Sequence, residues 1–301
     1  MKTVFILNPI SDSKGQYRLM EEIKKNFKDK EYIIEKSKEP KNAMHIARKY
    51  ALEQEECHIF ACGGDGTIHE VANGIAGYKN VKLSVYPIGT GNDFVKYFED
   101  HTKEDFLDLS RYKNAKEIQC DLLQVDGEYA INTVSFGFDV FVAQHVNEFR
   151  DKLPIRGILP YYMGVVKSLT KPLYQTYRIQ IDDIVLPTEE YSLVVFTNGR
   201  FYGGGYKPCP EARIDDGKQD VCLVKRVNIL TIAKLIKKYE KGLHTEYKDL
   251  ITITRANKTH IDTQNEGIPA CLDGEIRPIK NPTIELKESM IRLVVPGKEE
   301  A

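Results

Sequence analysis

The fold is decided by residues 57–67, CHIFACGGDGT, and by residues 83–94, LSVYPIGTGNDF. Each stretch begins as an apolar run of strand length and ends in glycines beside an aspartate. The carboxyl ends of parallel strands form the ligand-binding edge of an open α/β sheet, so both glycine loops are predicted at that edge. Glycine lets backbone N–H groups approach phosphate oxygens, and a neighbouring aspartate can hold a divalent cation. The two loops together predict a site for a nucleotide phosphate and a metal ion.

The chain before these loops alternates between strand-like and helix-like segments. Strands are predicted at residues 3–7 and 32–35, and amphipathic helices at residues 17–27 and 43–52. Alternation of β and α segments favours a doubly wound parallel sheet. We therefore predict an N-terminal α/β nucleotide-binding domain over residues 1–117.

The second part of the chain consists mainly of short β-like runs separated by turns. The predicted strands are residues 120–125, 129–136, 177–181, 191–197, 221–224, 250–254 and 268–272. Hairpin turns are predicted at 126–127, 182–183 and 273–274, and helices at 161–170 and 230–238. This pattern is typical of an antiparallel sandwich or barrel. We predict a β-sandwich domain over residues 118–287, with residues 288–301 returning to the first domain and a cleft between the two domains.

Composition and charge narrow the class of protein. The 301 residues are 42% hydrophobic and 29% charged, with a formal net charge of -1, so no nucleic-acid partner is expected. The first apolar run ends at Asn8-Pro9, too early for a signal peptide, and no run approaches the ~20 residues of a membrane span. A cytoplasmic location is expected. The six cysteines lack a C-x-x-C pair, which favours buried free thiols.

Several phosphate-binding classes are excluded by their motifs. The chain has no G-x-x-x-x-G-K-[ST] sequence and no H-R-D or D-F-G set, so it is neither an ordinary P-loop protein nor a protein kinase. A dinucleotide fingerprint begins at Gly89 and Gly91, but Phe94 stands where its third glycine belongs. Thr67 and Glu70 fit a capping box, which predicts a helix N-terminus and an anion site there.

The ordered motifs resemble one family. GGDGT, then GTGNDF, then Asp273-Gly274-Glu275 resemble the diacylglycerol kinase catalytic-domain family, in its branch of bacterial soluble lipid kinases. Further similar segments are Asn8-Pro9 with Gly15, Gly137-Phe138-Asp139, residues 202–205 and residues 210–217. The resemblance covers nearly the entire chain. It implies transfer of the γ-phosphoryl group of ATP to a lipid hydroxyl, with diacylglycerol as the first candidate and phosphatidic acid as its product.

The resemblance also implies roles for particular residues. The implied nucleotide-binding residues are Asn8, Pro9, Ser37, Gly63, Gly64, Asp65, Gly66, Thr67, Glu70, Thr90 and Lys96. An aspartate–water–Mg²⁺ network is implied for Asp65, Asp93 and Asp121. A structural Mg²⁺ is implied in the second-domain turn, with ligands from Arg213, Asp216 and Lys218. From local sequence alone, this turn is equally well explained as solvated.

Glu275 is implied as the catalytic base. Its local sequence alone favours a solvated hairpin tip, because such tips are common. The ordered set of motifs reverses that preference. The carboxylate would accept the proton of the acceptor hydroxyl.

The acceptor and the membrane contact are left open by the sequence. Residues 150–178 carry six basic residues against one acid, which suits either reversible peripheral contact with the inner membrane surface or an ordinary helix covering the β domain. Tyr161-Tyr162 lacks the early basic neighbour found in bacterial diacylglycerol kinases. Alternative acceptors are phosphatidylglycerol, a sphingoid base or a polyprenol. An NAD-kinase-like enzyme, a non-catalytic nucleotide- or lipid-binding regulator and a homodimer also stay open.

Overall fold

The computed structural model describes residues 2–152 and 159–298. Arg156, part of the basic segment singled out above, lies outside the described residues, and so do the side chains of Arg150, Lys152, Tyr161 and Tyr162. The chain forms two compact units. Unit 1 comprises Met1–Leu122, Ile214–Asp216 and Lys287–Ala301, and unit 2 comprises Leu123–Arg213 and Gly217–Leu286.

Unit 1 contains a parallel sheet with helices. Its first strands are β1 (Lys2–Leu7), β2 (Tyr32–Lys36), β3 (Cys57–Gly63) and β4 (Val81–Pro87), in the spatial order β4-β3-β1-β2. The helices between them are α1 (Ser13–Asn26), α2 (Asn42–Leu52) and α3 (Asp65–Ile75). After β4 come α4 (Asp93–Lys96), α5 (Lys103–Leu107), a 3₁₀ helix (Leu109–Asn114) and β5 (Lys116–Val125). The strand–helix alternation read from the sequence is confirmed.

The core of unit 1 explains why these segments fold as they do. Every residue of β3 is buried, as expected for a parallel strand with both faces covered. Phe5 of β1 stacks on Phe60 of β3 with ring centroids 4.8 Å apart. Leu19 and Ile23 lie on the buried side of α1 and pack against this pair. The helical spacing of α1 therefore provides the apolar face that closes one side of the sheet.

Unit 2 is built from antiparallel strand pairs. Its strands after β5 are β6 (Glu128–Ala130), β7 (Thr133–Gly137), β8 (Gln175–Ile181), β9 (Ile184–Val185), β10 (Glu189–Thr197), β11 (Gln219–Lys225), β12 (Ile251–Ala256), β13 (Lys258–Asp262), β14 (Gly267–Leu272) and β15 (Glu275–Lys280). The order β15-β14-β7-β10 continues on one side through β11 to β12 and on the other through β8 to β13. The predicted class of an α/β domain followed by an antiparallel β domain is confirmed.

The last strand, β16 (Thr283–Val295), contributes to both units. Its first residues pair antiparallel with β13 in unit 2. Arg292 and Leu293 pair in parallel with β4 in unit 1. The sequence did not predict this strand, because charged residues interrupt its apolar alternation.

Unit 2 also carries α6 (Phe138–Lys152), α7 (Leu159–Ser168) and α8 (Ile229–Glu240). The helices predicted at 161–170 and 230–238 are confirmed as α7 and α8. Helix α6 was not predicted, because its valine, phenylalanine and histidine residues have modest helix propensity. Tertiary contacts form it instead: a Cβ on Gly164 of α7 would stand 2.6 Å from Val146 of α6, so the two helices pack closely.

The strand predicted at residues 129–136 is wrong as a single element, because the chain is split into β6 and β7. The carboxylate of Asp273 accepts hydrogen bonds from the backbone N–H groups of Ile131, Asn132 and Thr133, at 2.7–2.9 Å. A distant acid therefore satisfies donors that would otherwise continue the strand ladder.

The basic segment and the long helices bear on membrane contact. Within the described part of residues 150–178, Lys167 is engaged in a salt bridge of 2.6 Å with Glu148. Among the residues that the structure describes, no helix is both long and apolar enough to cross a membrane.

Candidate active site

The predicted nucleotide residues gather at the carboxyl edge of the parallel sheet. Asn8 follows β1 and donates its backbone N–H to the Cys62 carbonyl of β3 at 3.0 Å. Ser37 follows β2, is buried, and donates its N–H to the Leu7 carbonyl at 3.0 Å. Gly89 follows β4 and donates to the Gly63 carbonyl at 3.2 Å. The ends of four strands are thus tied together, as an α/β ligand edge requires.

The two glycine loops of unit 1 touch each other. A Cβ on Gly89 would lie 2.2 Å from the Cα of Gly64, and a Cβ on Gly63 would lie 2.2 Å from Thr67 Oγ1. Contacts this short leave no room for a side chain at either glycine. The glycines therefore serve close backbone packing as well as access for a ligand.

Two aspartates approach the same small space. Asp65, the first residue of α3, accepts a hydrogen bond from the backbone N–H of Phe94 through Oδ1 at 3.2 Å. The point where a Cβ would stand on Gly91 is 2.8 Å from Asp65 Oδ2 and 3.9 Å from Asp93 Oδ2. The missing side chain of Gly91 leaves a gap flanked by one carboxylate oxygen from each loop. Carboxylate oxygens are suitable ligands for Mg²⁺, so the donor set fits that ion.

The second loop is locked by its own side chains. Asn92 has a left-handed backbone with φ of 52°. Its side-chain oxygen accepts from the Gly89 N–H at 3.1 Å, and its side-chain nitrogen donates to the Gly89 carbonyl at 2.7 Å. Asp93 is 6% exposed, and its Oδ1 accepts from Lys96 Nζ at 2.6 Å. The loop therefore holds a carboxylate and an ammonium group together, and both could meet a nucleotide with its metal ion. Thr90, the implied nucleotide contact, is exposed in this loop.

The predicted capping box is wrong. Helix α3 begins at Asp65 with Gly64 as its N-cap, because the Gly64 carbonyl already accepts from the N–H of Ile68 at 3.1 Å. Thr67 lies inside the first turn, where its Oγ1 accepts from the side chain of Asn8 at 3.3 Å. The N-terminus of α3 still carries the glycine loop, so an anion site there stays a prediction.

Glu70 caps a neighbouring helix instead of its own. Its two carboxylate oxygens accept from the backbone N–H groups of Lys41 and Ala43, at 2.8 and 3.0 Å. These donors lie at the start of α2, and Lys41 itself has no side-chain cap there. A carboxylate at a helix N-terminus also interacts favourably with the helix dipole. The structure thus gives Glu70 a bracing function, and its contact with nucleotide stays a prediction.

Asp121 is bonded to the two later chain segments that belong to unit 1. Its carboxylate Oδ1 accepts from the N–H of Ser289 at 2.7 Å, and its own N–H donates to the Ile214 carbonyl at 2.7 Å. Asp121 is 3% exposed. It therefore anchors two segments that are remote in sequence, and its place in a metal network stays a prediction.

The residues predicted to hold a structural metal divide between the units. Asp216 belongs to unit 1, whereas Arg213 and Lys218 belong to unit 2. Gly217 has φ of 70°, which makes the turn after Asp216. Lys218 Nζ donates to the Asn257 side chain at 2.8 Å. Among the described residues, no group of three or more His, Cys, Asp or Glu side chains could hold a metal ion.

Glu275 lies at the start of β15, in unit 2. Asp273 and Gly274 have φ of 49° and 103°, so a tight hairpin turn joins β14 to β15, as predicted. Asp273 is fixed by its three backbone donors, so the turn has little freedom. Glu275 is exposed. The hairpin thus holds the solvated carboxylate of Glu275 on a turn that is fixed by hydrogen bonds.

Asp139 lies in a segment that resembles the family, but the sequence predicted no function for it. Burial raises the pKa of the Asp139 carboxyl to about 7, against hydrogen bonds from Ser135 and Tyr202 that lower it. Its Oδ1 has no hydrogen-bond partner within the part of the chain that the structure describes. An acid with a buried carboxylate oxygen and a perturbed pKa is typical of functional sites. The sequence offered two signals for it, its place in a segment similar to the family and its position after an apolar strand.

The triple glycine 203–205 forms a turn. Tyr202 and Tyr206 close it by an isolated antiparallel bridge, and all three glycines have positive φ. The Tyr202 hydroxyl lies 3.2 Å from the Tyr239 hydroxyl of α8. The turn therefore places Tyr202 between Asp139 and α8.

A parallel sheet with two interlocked glycine–aspartate loops, joined to an antiparallel β unit, defines the fold class shared by diacylglycerol kinases and NAD kinases. The structure of a diacylglycerol kinase from Bacillus anthracis superposes with a TM-score of 0.70 at 20% identity, covering 97% of this chain and 96% of that one. An NAD kinase from Archaeoglobus fulgidus in complex with ATP has a TM-score of 0.52 at 12% identity, covering 99% and 94%. Both likenesses show the fold.

Sequence comparison gives the family. Residues 2–125 match the diacylglycerol kinase catalytic domain, and residues 132–295 match the YegS C-terminal NAD kinase beta sandwich-like domain. The diacylglycerol kinase of Bacillus subtilis is 30% identical over 242 residues, covering 78% of this chain and 76% of its own length. That of Staphylococcus carnosus is 28% identical over 280 residues, covering 90% and 87%. The chain belongs to the diacylglycerol kinase catalytic-domain family.

Proposed function

We propose that this protein transfers the γ-phosphoryl group of ATP to the hydroxyl of a lipid, with diacylglycerol as the first acceptor. The observation that carries the proposal is the pair of carboxylate oxygens from Asp65 and Asp93 beside Gly91, at the sheet edge. Membership of the family supports the reaction class. The product with this acceptor is phosphatidic acid.

The nucleotide is assigned to the carboxyl edge of unit 1. The glycine loops at 63–66 and 89–91 offer backbone N–H groups, and the N-terminus of α3 adds its dipole. Asn8, Ser37 and Thr90 supply polar groups around these loops. Lys96 carries a positive charge 2.6 Å from Asp93 and can turn to a phosphate oxygen.

The metal is assigned to Asp65 and Asp93, with Asp121 as the outer member of the network. Bound Mg²⁺ neutralises charge on the transferring phosphoryl group. Because Mg²⁺ keeps several waters and takes few protein ligands, two carboxylates with water and phosphate oxygens form a sufficient set. Asp216 and the carbonyls of Arg213 and Lys218 are assigned to a second, structural Mg²⁺.

Glu275 is assigned as the general base. Its exposed carboxylate is free of the backbone bonds that engage Asp273, so it can accept a proton from the attacking hydroxyl. Deprotonation of the acceptor strengthens it as the nucleophile toward the γ-phosphorus. The leaving group is ADP.

One alternative is supported by a specific observation. The likeness in fold to an NAD kinase makes a nucleotide hydroxyl a second candidate acceptor. Against it stand the GTGNDF loop and the Asp273-Gly274-Glu275 turn, which resemble the lipid kinases. Among lipids, phosphatidylglycerol, a sphingoid base and a polyprenol stay as candidates. The protein is proposed to work in the cytoplasm at the inner membrane surface, by reversible contact.

An acceptor panel tests the proposal. The protein would be incubated with Mg²⁺ and γ-labelled ATP in mixed detergent micelles, with diacylglycerol, phosphatidylglycerol, sphingosine or undecaprenol, and separately with NAD. We expect labelled phosphatidic acid, identified by mass spectrometry, and much less of it from an Asp65→Asn variant at the same ATP concentration. Label only in NADP would favour the nucleotide acceptor. Saturable ATP binding without any product would favour a non-catalytic regulator.

A further inference from the structure

Helix α8 has an outer face that stays exposed among the residues that the structure describes. Its inner side is apolar: Leu235 is buried, while Ile232 and Tyr239 pack on a core cluster that includes Val195. The outer side carries aliphatic residues in its first turn. Leu230 is 70% exposed and Ile229 is 43% exposed.

Lysines continue this outer face along the helix. Lys234, Lys237 and Lys241 are exposed and form no ion pair within the part of the chain that the structure describes. They follow Leu230 at spacings of four, seven and eleven residues, which places them on one stripe. Lys238, one position off the stripe, is instead paired with Glu246 at 3.5 Å.

The α8 outer face, defined as Ile229, Leu230, Ala233, Lys234, Lys237 and Lys241, therefore combines exposed aliphatic side chains with unpaired positive charge. Glu240 is the one acid on the same arc of the helix. Exposed aliphatic side chains beside lysines are typical of helices that lie in a membrane interface.

We propose that the α8 outer face docks on an anionic phospholipid bilayer, with Ile229 and Leu230 entering the headgroup region and the three lysines binding lipid phosphates. This inference deepens the proposed function, since an acceptor of this class is dissolved in a bilayer. For residues 150–178, the sequence left membrane contact and an ordinary helix covering the β domain equally open.

The docking proposal is supported by the face of the β sheet that α8 covers, because α6 lies over the same face. Val195 of β10 pairs with Ser135 of β7 and with Cys222 of β11, so their side chains share one face. Asp139, at the start of α6, hydrogen-bonds to Ser135. Helices α6 and α8 thus lie over the same face of the sheet. Docking through α8 would bring the bilayer to the side of unit 2 that holds the family's signature acid.

The docking is expected to be weak and reversible. Each lysine near an anionic surface contributes about five-fold to the partition coefficient. Three lysines therefore allow a change of about 100-fold at most. Salt should weaken binding, because the charges are exposed and screened.

Co-sedimentation with vesicles tests the proposal. The probes are vesicles of phosphatidylcholine mixed with phosphatidylglycerol, and vesicles of phosphatidylcholine alone. The wild type should bind the mixed vesicles more tightly. The triple variant K234Q/K237Q/K241Q should lose this preference, and I229Q/L230Q should weaken binding to both kinds of vesicle. Circular dichroism and thermal unfolding verify that each variant is folded.

Matched controls separate a local effect from a general one. K28Q/K113Q/K258Q removes three exposed lysines elsewhere. I184Q/V185Q removes two aliphatic side chains that are 67% and 49% exposed on β9. Both controls should bind vesicles as the wild type does. Equal binding by the wild type and both α8 variants would overturn the proposal.

Two further readouts keep the docking distinct from the proposed activity. Turnover of a short-chain diacylglycerol in detergent micelles should be unchanged in the α8 variants. If no acceptor is phosphorylated but the α8 variants still lose vesicle binding, docking stands and the kinase assignment fails. If sedimentation velocity shows the variants converting a dimer to a monomer with vesicle binding intact, the face is a subunit interface and docking is overturned.

Discussion

Gly64 and Gly89 pack backbone against backbone: a Cβ on Gly89 would stand 2.2 Å from the Gly64 Cα. Gly89→Ala should therefore push the two loops apart, lowering the free energy of unfolding by about 1–3 kcal/mol. We also expect ATP affinity to fall. Urea unfolding and ATP titration calorimetry measure the two effects.

Gly267→Ala is the matched control for that change. A Cβ there meets its first neighbour, Pro278, at an ordinary 3.7 Å. It should alter neither stability nor ATP binding by much. If Gly89→Ala behaved in the same way, the close contact between the loops would have no energetic weight.

Asp65→Asn should weaken Mg²⁺-dependent ATP binding by about 10–100-fold. The amide preserves the shape of the side chain and its bond from Phe94 N–H, but removes the charge that faces the gap beside Gly91. Calorimetric titration with ATP, with and without Mg²⁺, measures the change. Asp100→Asn, in which the carboxyl is 79% exposed, should have no effect. Equal loss with and without Mg²⁺ would count against a metal ligand.

Glu275→Gln should leave a folded protein whose turnover is reduced by about 10²–10⁴-fold, because the acceptor hydroxyl loses its base. ATP affinity should be unchanged. The control is Glu266→Gln, an exposed glutamate of the same unit. Turnover close to that of the wild type would remove Glu275 from the mechanism.

Asp139 should make stability depend on pH between about 4 and 7. Burial raises the pKa of its carboxyl from 3.8 to about 7, so the folded state favours the neutral form. As pH rises above 4, the unfolded state ionises first, and the free energy of unfolding falls until the folded carboxyl ionises near 7. The total loss is about 4 kcal/mol at most.

Asp139→Asn removes that dependence. Urea unfolding at a series of pH values should show the wild type losing stability relative to the variant from pH 4 to 7, and a constant difference above. Parallel curves for the two proteins would show that the Asp139 carboxyl titrates normally.

The sequence predicted the elements whose pattern is local. Strands β1 to β4 and helices α1 to α3 carry their own apolar spacing, and the Asp273-Gly274 turn follows from residues that accept positive φ. The gap between β6 and β7 could not be predicted, because it depends on a carboxylate 140–142 residues away. The same holds for Glu70, which caps a helix 27–29 residues earlier.

The features of the candidate site also separate into those that follow from local sequence and those that depend on distant residues. The gathering of Asn8, Ser37 and the glycine loops at one edge follows from strand direction, which the sequence shows. The environment of Asp139 includes hydrogen bonds from Ser135 and Tyr202, which are 4 and 63 positions away along the chain. No pattern of neighbouring residues reports such an environment. The functional assignments of Glu275, Asp121 and Asp216 stay predictions.

All six cysteines are free and buried. Cys57, Cys62 and Cys120 belong to unit 1, and Cys209, Cys222 and Cys271 belong to unit 2. The chain thus has built-in probes of its own opening: an alkylating reagent added in pulses would modify each thiol only when its surroundings loosen. Mass mapping of the tagged peptides would time the loosening of each unit separately. Repeating the experiment with nucleotide or with lipid would show which unit each ligand stabilises.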